Sequence, residues 1–267
     1  MPELAEVEVV RRNLSRWWRG RSADRVCILD EKLVESGESD ALQAALKEPL
    51  KKAGRRGKYL FCHMACGQVL VFHFRMTGKI VCGDKPDPKY GRLSWHVDGA
   101  GWLVFKDQRR LGHLCLLSEE TLDDYRPLKE MGPEPEDISV DYLRGVCSDR
   151  RLLKTALLDQ SIVAGVGNIA VSELYWRLRF APEIKCGQLD EEDWRRLVEE
   201  MPLYFEEIIE KSMSDEILYI EEGGTPNDFQ VYARFDELCS RCGGTVDKRK
   251  VGGRTTYYCP ECQRKGA

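Results

Sequence analysis

The stretch CSRCGGTVDKRKVGGRTTYYCPEC (239–262) carries the strongest structural signal in the sequence, because two Cys-x-x-Cys pairs lie sixteen residues apart. Two such knuckles with glycine-rich turns between them present four thiolates tetrahedrally, which suits a zinc ion. Two disulfides or four free thiols are the alternatives, and we favour one structural zinc ion bound by Cys239, Cys242, Cys259 and Cys262. A closed four-cysteine site leaves no open coordination position, so the ion would organise a β-hairpin rather than catalyse a reaction.

Two further stretches combine cations with glycines and could meet an anionic backbone. The tip of the hairpin, DKRKVGGRTTYY (247–258), is basic and aromatic, and KKAGRRGKY (51–59) places five cations just before a strand. Phosphate binding and a merely solvated surface are both open for each stretch. A third stretch, GVGN (165–168), allows a tight turn that aims Asn168 and nearby N–H groups outward at a helix start.

The formal net charge of −4 conceals opposite charges in different segments. Residues 1–117 carry a net charge of +7 and residues 224–267 carry +3, whereas residues 118–138 carry −6 and residues 139–223 carry −8. Two basic modules separated by an acidic middle remain compatible with a nucleic-acid partner.

Hydrophobic periodicity divides the chain into four parts and predicts an α+β multidomain fold. Helical spacing of apolar residues opens the chain, with Pro2 expected in the first helical turn. Short apolar runs such as KYLFCHM and QVLVFHF then predict a β-rich sandwich or barrel. An acidic, proline-containing linker precedes several helical segments. The predicted bounds are a β-domain at 1–117, a linker at 118–138, a helical domain at 139–223 and a zinc-finger domain at 224–267.

Composition also excludes some classes of protein. The first twenty residues carry acids and arginines where a secretory signal needs an apolar core, and no run of 18 apolar residues occurs. Eleven cysteines cannot form a complete intramolecular disulfide set, and a reducing compartment would keep most of them as thiols. We therefore expect a soluble protein of the cytoplasm or nucleoid, with no membrane partner.

Seven motifs in one order resemble the formamidopyrimidine-DNA glycosylase and endonuclease VIII family over essentially the whole chain. They are MPELAEVE, GRRGKY, HFRMTG, DQRRLG, LLDQSIVAGVGNIAVSE, FQVYAR and the closing RTTYYCPEC. The resemblance implies an amino-terminal catalytic β-sandwich with flanking helices, a helix-two-turn-helix DNA-binding domain and a zinc-finger β-hairpin. It also implies base excision repair of damaged double-stranded DNA, with one Zn²⁺ and no small-molecule cofactor; we expect a monomer.

The same resemblance assigns the chemistry to the amino terminus. In that family the initiator methionine is removed and the proline nitrogen is the nucleophile, which is Pro2 here, with the acid Glu3 beside it. A free α-amino group has a pKa near about 8, so part of it is unprotonated at neutral pH. Glu6 matches a further acid that supports this site. Lys58 and Arg254 complete the catalytic set, because they match residues that hold phosphates around the lesion.

The resemblance also implies a set of DNA contacts. Met76, Arg109 and Leu111 match the three side chains that fill the space left by an extruded nucleotide. Asn168 matches a phosphate contact, and Lys154 is a looser match to one. The DNA groove would lie between the β-rich and helical domains.

The sequence leaves alternatives open for both the preferred lesion and the class of protein. MPELAEVE and QVYAR resemble the oxidised-purine branch, which is the expected substrate class. Leu111 and the stretch 211–228, which looks shorter than the purine-branch loop, depart from that branch, so oxidised pyrimidines are the alternative. A non-catalytic zinc-ribbon protein that binds damaged DNA is the main rival from another class, and an RNA-binding accessory factor is a third possibility. The trio Pro2, Glu3 and Lys58 favours the enzyme.

Overall fold

The structure, a computed structural model, describes residues 2–36, 39–86, 89–213 and 229–264. Most of the loop predicted at 211–228 therefore lies outside the described residues. Two compact units form. The first holds the described residues up to Lys129, and the second holds those from Glu130 to Lys211 and from Phe229 onward. No helix in the described part of the chain has the length and apolar character needed to cross a membrane.

The first unit is built from two β-sheets and two flanking helices. The first sheet has the order β1 (Ala23–Ile28), β7 (Gly91–Val97), β8 (Gly101–Asp107) and β6 (Gly78–Gly83). The second has the order β2 (Val34–Ser36), β9 (His113–Ser118), β5 (Gln68–His73), β4 (Tyr59–Met64) and β3 (Leu50–Arg56). The flanking helices are α1 (Leu4–Trp17), which packs on β3 and β4, and α2 (Ser39–Leu46).

Aromatic side chains from both sheets form the core of this unit. Phe72 of β5 lies 6.4 Å from Trp95 of β7 and 5.8 Å from Phe105 of β8, measured between ring centroids. All three rings are buried. Two sheets that pack face to face through such interdigitating side chains form a sandwich, so the predicted sandwich is confirmed and the barrel alternative is wrong.

Two segments of the first unit differ from the sequence-based expectation. The basic run KKAGRR was expected as an approach to a strand, but it forms β3 itself, at the edge of the second sheet. The predicted linker at 118–138 is not a fully solvated segment. It begins with a 3₁₀ turn and the short helix α3 (Arg126–Lys129), and Leu122, Tyr125 and Leu128 pack against a buried cluster around Phe61.

Helices dominate the second unit. They are α4 (Val140–Val146), α5 (Leu153–Leu157), α6 (Asn168–Leu178) and α7 (Glu191–Lys211). The turns between α5 and α6 are closed by the side chain of Gln160, which donates to the carbonyl of Val166 (3.0 Å) and accepts from the N–H of Gly165 (3.0 Å). Gly165 has φ of +82°, which a glycine adopts without a Cβ penalty. The helix-two-turn-helix prediction is confirmed.

The second unit also contains the carboxy-terminal hairpin, formed by β10 (Asp247–Val251) and β11 (Arg254–Tyr258). Gly252 and Gly253 make its two-residue turn with φ of +56° and +80°. Positive φ at both central positions is the requirement of a type I′ turn, whose twist matches that of paired strands.

Candidate functional site

The amino terminus lies at the start of α1, where Pro2 and Glu3 are both buried; Glu3 is only 4% exposed. Glu3 has an extended backbone and caps the helix, and its own N–H donates to the carboxylate of Glu6 (2.8 Å). Because α1 begins at Leu4, Pro2 precedes the helix, and its expected place in the first turn is wrong. The positive end of the helix dipole modestly disfavours an ammonium group there, which favours a neutral nucleophilic amine.

Part of the basic run at 51–59 is paired within the protein. Arg55 of β3 is half-buried and lies 3.5 Å from the carboxylate of Glu8 on α1. Burial would raise the pKa of Glu8, but hydrogen bonds from Arg11 and Arg12 outweigh burial and lower it. Arg55 therefore fastens β3 to α1.

Lys58 lies in the turn between β3 and β4, beside a stack of rings at the strand ends. His73 is the cross-strand neighbour of both Tyr59 and His113, with ring centroids 4.5 Å and 5.5 Å away. Burial, aided by the charge of Arg75, lowers the pKa of His73 to about 3. His73 is therefore neutral at pH 7, and the cations at this end of the sheet are lysine and arginine.

Asp107 joins the two segments that carry the three side chains expected to fill the vacated space. Its carboxylate accepts from the hydroxyl of Thr77 (2.5 Å) and from the N–H of Arg109 (3.2 Å), and that N–H also reaches the Thr77 hydroxyl (3.1 Å). These bonds join the turn that carries Met76 to the loop that carries Arg109 and Leu111. The side chain of Leu111 is 46% exposed although it is apolar, so it is accessible to a partner.

In the second unit, three predicted residues converge on β11. The carbonyl of Thr255 accepts from the amide of Asn168 (2.9 Å) and from the ammonium of Lys154 (3.3 Å). Lys154 also donates to the hydroxyl of Thr256 (2.5 Å). The neighbouring Arg254 is exposed.

Lys154 is 0% exposed, and burial, with the charge of Arg254 as a second cause, lowers its pKa to about 8. Lys154 therefore binds the strand that carries Arg254 in addition to any contact with DNA, and its predicted phosphate contact stays a prediction.

A buried acid holds the FQVYAR segment. The carboxylate of Glu173, on α6, accepts from the N–H groups of Gln230 (2.8 Å), Val231 (3.0 Å) and Tyr232 (2.8 Å). Burial raises the pKa of Glu173, although the three N–H bonds oppose this effect. The ring of Tyr232 is thereby held 5.2 Å from that of Tyr257 on β11, measured between centroids.

Sequence reasoning did not assign a role to Asp107 or Glu173. Both acids occur inside motifs that were recognised, DQRRLG and the helix NIAVSE. The available signal for Glu173 was a single acid in a largely apolar helical segment, NIAVSELYWRL. Its partners could not be found in this way, because they lie 57 to 59 residues further along the chain.

The four cysteines of the hairpin form one cluster whose sulfur atoms lie within 4.8 Å of one another. Cys239 and Cys262 are 3.9 Å apart, Cys242 and Cys259 are 3.4 Å apart, and no disulfide joins them. Tetrahedral zinc with Zn–S bonds of about 2.3 Å needs sulfur atoms roughly 3.8 Å apart, so the four thiolates fit the ion. The indole N–H of Trp176 on α6 also donates to Cys239 (3.4 Å), which orients this ligand.

The predicted site residues fall into two sets, one in each compact unit. The first unit holds Pro2, Glu3, Glu6, Lys58, Met76, Arg109 and Leu111. The second holds Lys154, Asn168, Arg254, Cys239, Cys242, Cys259 and Cys262. Each set combines cations with groups that suit contact with a nucleic acid, and the nucleophile candidate belongs to the first.

Three family models match successive parts of the chain. The formamidopyrimidine-DNA glycosylase N-terminal domain matches residues 1–114, and the formamidopyrimidine-DNA glycosylase H2TH domain matches residues 131–217. A zinc finger found in FPG and IleRS matches residues 236–264, in agreement with the four-cysteine cluster. The zinc prediction is therefore confirmed as one structural Zn²⁺ site.

Individual relatives cover the whole chain. The formamidopyrimidine-DNA glycosylase of Streptococcus mutans is 36% identical over 274 residues, which include 99% of this chain and all of the relative. That of Bacillus licheniformis is 37% identical over 279 residues, with the same coverage. Among solved structures, Lactococcus lactis Fpg in complex with DNA containing an abasic site has a TM-score of 0.87 at 33% identity, and covers 98% of this chain and 100% of that one.

A β-sandwich, a helix-two-turn-helix domain and a four-cysteine hairpin in this order define a class of DNA glycosylases. The chain belongs to the formamidopyrimidine-DNA glycosylase family.

Proposed function

We propose that this protein is a bifunctional DNA glycosylase and AP lyase of base excision repair. It removes oxidised purines, formamidopyrimidines and 8-oxoguanine, from double-stranded DNA and then cuts the strand at the abasic site. The observation that carries the proposal is the pairing of Pro2 with the buried Glu3 at the start of α1, in a chain that aligns over 99% of its length with glycosylases. Because its substrate is DNA, we place the enzyme in the cytoplasm or nucleoid.

Pro2 performs the first chemical step once its nitrogen is free. The nitrogen lone pair attacks C1′ of the damaged nucleotide, the N-glycosidic bond breaks, and the base leaves with the bonding electrons. The sugar develops oxocarbenium character as the base leaves. When the C1′–O4′ bond then breaks, the carboxyl group of Glu3 donates its proton to the ring oxygen, and the carboxylate that remains stabilises the positive charge of the iminium. The proton released by the Pro2 nitrogen restores the acid. Glu6 accepts the N–H of Glu3 and holds this residue at the cap.

The product of this step is an iminium ion between Pro2 and the opened sugar. The positive nitrogen acidifies C2′, and loss of the C2′ proton breaks the C3′–O bond, so that the 3′ phosphate departs with the electron pair. In a second elimination the conjugated iminium acidifies C4′, and loss of the C4′ proton breaks the C5′–O bond, so that the 5′ phosphate departs with the electron pair. Water finally hydrolyses the iminium and returns the Pro2 amine.

The remaining site residues bind and shape the DNA. The nucleotide must leave the stack at a cost of about a few kcal/mol, and Met76, Arg109 and Leu111 fill the space that it vacates. Lys58, Asn168 and Arg254 hold phosphates around the lesion, and Lys154 positions Arg254. When bound, zinc supplies no reaction step; its four thiolate ligands hold the hairpin together. The enzyme acts as a monomer.

Oxidised pyrimidines are the second candidate substrate. Leu111 is aliphatic and exposed on the loop that contacts the vacated space. A Lactococcus lactis Fpg structure, 32% identical to this chain with a TM-score of 0.86, is a complex with DNA containing an oxidised pyrimidine. Another, with the same two values, contains an N7-benzyl-Fapy-dG. These complexes support testing both lesions in one experiment.

Borohydride trapping tests the proposal, because the reagent reduces the iminium to a stable amine. The purified protein is mixed with duplexes that carry an abasic site, 8-oxoguanine, a formamidopyrimidine or an oxidised pyrimidine, and any adduct is mapped by peptide mass. We expect an adduct at Pro2 and, among the duplexes that still carry a damaged base, the fastest trapping on the oxidised purines. Faster trapping on the pyrimidine would reverse the lesion order, and duplex binding without any adduct would refute the enzyme.

The nucleophile is tested with two variants, Pro2→Gly and a form that retains Met1. Both should bind the lesion duplex, and the form that retains Met1 should lose base removal by about a thousandfold or more, as when a catalytic nucleophile is deleted. Normal turnover in both variants would remove Pro2 from the mechanism.

A further inference from the structure

The first unit contains a fully buried arginine that the reaction does not use. Arg92 lies on β7 and is 2% exposed. A buried guanidinium is costly unless its charge is balanced and its N–H groups have acceptors. Its Nε donates to the carboxylate of Asp30 (3.0 Å), and one Nη donates to the carbonyl of Gly112 (2.7 Å) and lies 3.5 Å from the carboxylate of Asp107.

The two carboxylates around Arg92 hold different parts of the chain. Asp107, which is 1% exposed, binds Thr77 and the N–H of Arg109, and it also accepts from the N–H of Gly112 (2.6 Å). Asp30 accepts from the N–H of Lys32 (3.1 Å) through its other oxygen. Arg92 therefore links a rigid turn after β1 to both ends of the loop 107–112.

The loop between these ends carries two of the three side chains that fill the vacated space. Its middle residue, Arg110, has φ of +54°, a conformation that L-residues adopt only when their surroundings enforce it. Gly112 has no room for a side chain, because a Cβ would lie 2.8 Å from the ring of Phe105 and 3.1 Å from Asp107. The loop is thus fixed by buried contacts, and Arg92 contacts both of its ends.

We propose that Arg92 is a positioning residue that holds Met76, Arg109 and Leu111 in the arrangement needed to extrude the damaged nucleotide. The inference rests on the proposed glycosylase function. Arg92 acts through Asp107 and Gly112 and does not touch the DNA. Its loss should impair the step in which the loop enters the duplex and leave the chemistry at Pro2 intact.

Two substrates, an intact lesion and an abasic site, separate the insertion of the loop from the chemistry at Pro2. An intact lesion must be unstacked and unpaired before Pro2 can reach it, whereas a nucleotide without a base has little stacking to lose. A misplaced loop should therefore slow removal of 8-oxoguanine much more than trapping at an abasic site. A residue needed only for stability would slow both reactions equally.

Arg92→Gln and Arg92→Lys are compared with the wild-type protein under single-turnover conditions. Arg25→Gln is the matched control, because Arg25 is an exposed cation of the adjacent strand β1. We expect Arg92→Gln to slow base removal about tenfold to a hundredfold, the factor for losing charged hydrogen bonds, and to change abasic trapping less than about twofold. Arg92→Lys should recover part of the loss, and Arg25→Gln should match the wild type.

Extrusion itself is followed with 2-aminopurine placed beside the lesion, whose fluorescence rises when its neighbour leaves the stack. Arg92→Gln should lower this amplitude at saturating enzyme. If Arg92→Gln does not fold, Asp30→Asn provides the test, since it removes the charge that pairs with Arg92 Nε (3.0 Å) and with Arg110 of the loop (3.6 Å) and should cause a smaller loss of the same kind.

Equal slowing on both substrates, or unchanged fluorescence, would overturn the positioning role. No change in base removal for either variant would overturn it as well. If the wild-type protein traps on no duplex, the glycosylase function fails and this inference fails with it, so the wild-type arm distinguishes the two failures.

Discussion

The two units hold their functional residues by different physical means. In the first unit, Arg109 and Leu111 lie on a loop between long strands of a nine-stranded sandwich within the described residues, and a buried carboxylate fixes that loop. In the second unit, Arg254 lies on a hairpin of only two strands. An isolated two-stranded hairpin is marginally stable at best, so the second site depends on additional fastenings.

Those fastenings come from three directions. The four cysteines close the base of the hairpin, Lys154 and Asn168 bind the backbone of β11, and Glu173 holds the preceding FQVYAR segment. A small element can thus hold an exposed cation such as Arg254 in place if a metal site and buried charges replace the missing core. The two units should therefore respond differently to metal loss, to loss of a buried charge and to acid.

Metal loss should have the largest effect and should be confined to the second unit. Cys259→Ser, or chelation at neutral pH, removes a site whose zinc affinity is worth about 10 kcal/mol or more. Hydrogen exchange should accelerate in β10 and β11 and stay slow in β4 and β5, and affinity for duplex DNA should fall. The exposed Cys66 lies outside the cluster, so Cys66→Ser should resemble the wild type. Unchanged DNA affinity after verified metal loss would contradict the fastening role of zinc.

Loss of the buried acid in α6 should have a moderate effect on the same unit. In Glu173→Gln one side-chain oxygen becomes an NH₂ group, which faces the backbone donors that the carboxylate accepted. We expect a loss of about 1–3 kcal/mol in the free energy of unfolding, measured with urea, and faster exchange at residues 230–232. Glu199→Gln, on the exposed face of α7, should change stability by less than about 0.5 kcal/mol. Equal stability of the two variants would show that Glu173 is not needed to hold FQVYAR.

Apolar patterns predicted the inner parts of both units and missed their edges. The runs that became β4, β5, β7 and β8 are strongly apolar, and the cysteine spacing identified the zinc hairpin. The strands β1, β2, β3, β6 and β9 were not individually predicted, and all of these except β9 lie at sheet edges. Edge strands carry polar and charged residues. For this reason the cations of β3 were interpreted as a possible phosphate-binding segment that precedes a strand, and not as a strand.

Most of the site features that the sequence did not predict are buried charged side chains and their partners. Lys154 was predicted only as a looser match to a phosphate contact, and its acceptors in the protein are 101 and 102 residues away in the sequence. No role was predicted for Arg92 or Asp107, which lie 3.5 Å apart. A single sequence gives no signal for such pairs, because the tertiary fold determines which distant groups balance each other's charge.

Acid should affect the first unit through His73. A histidine whose pKa falls from 6.5 to about 3 on folding contributes stability that is fully present above pH 6.5 and is lost as the pH falls toward 3. The loss should approach about 1.4 kcal/mol per pH unit within this window. Urea unfolding at pH 7, 6 and 5 should therefore show a shallower pH dependence for His73→Gln than for the wild type. Identical slopes for His73→Gln and the wild type would mean that this ring is not responsible.

The smallest effects, and the sharpest comparison of the two units, concern phosphate contacts. Lys58 belongs to the first unit and Arg254 to the second, and each cation that neutralises one phosphate contributes about one to the slope of log K against log salt. Lys58→Ala and Arg254→Ala should each lower the slope by about that amount, and the double variant should lower it by about two. Lys47, an exposed lysine just after α2, serves as the control and should leave the slope unchanged when replaced by alanine. The slope counts the phosphates that are neutralised, whichever residue neutralises them. A slope that responds to only one of the two variants would therefore assign the phosphate contact to that residue and remove the other residue from the contacts.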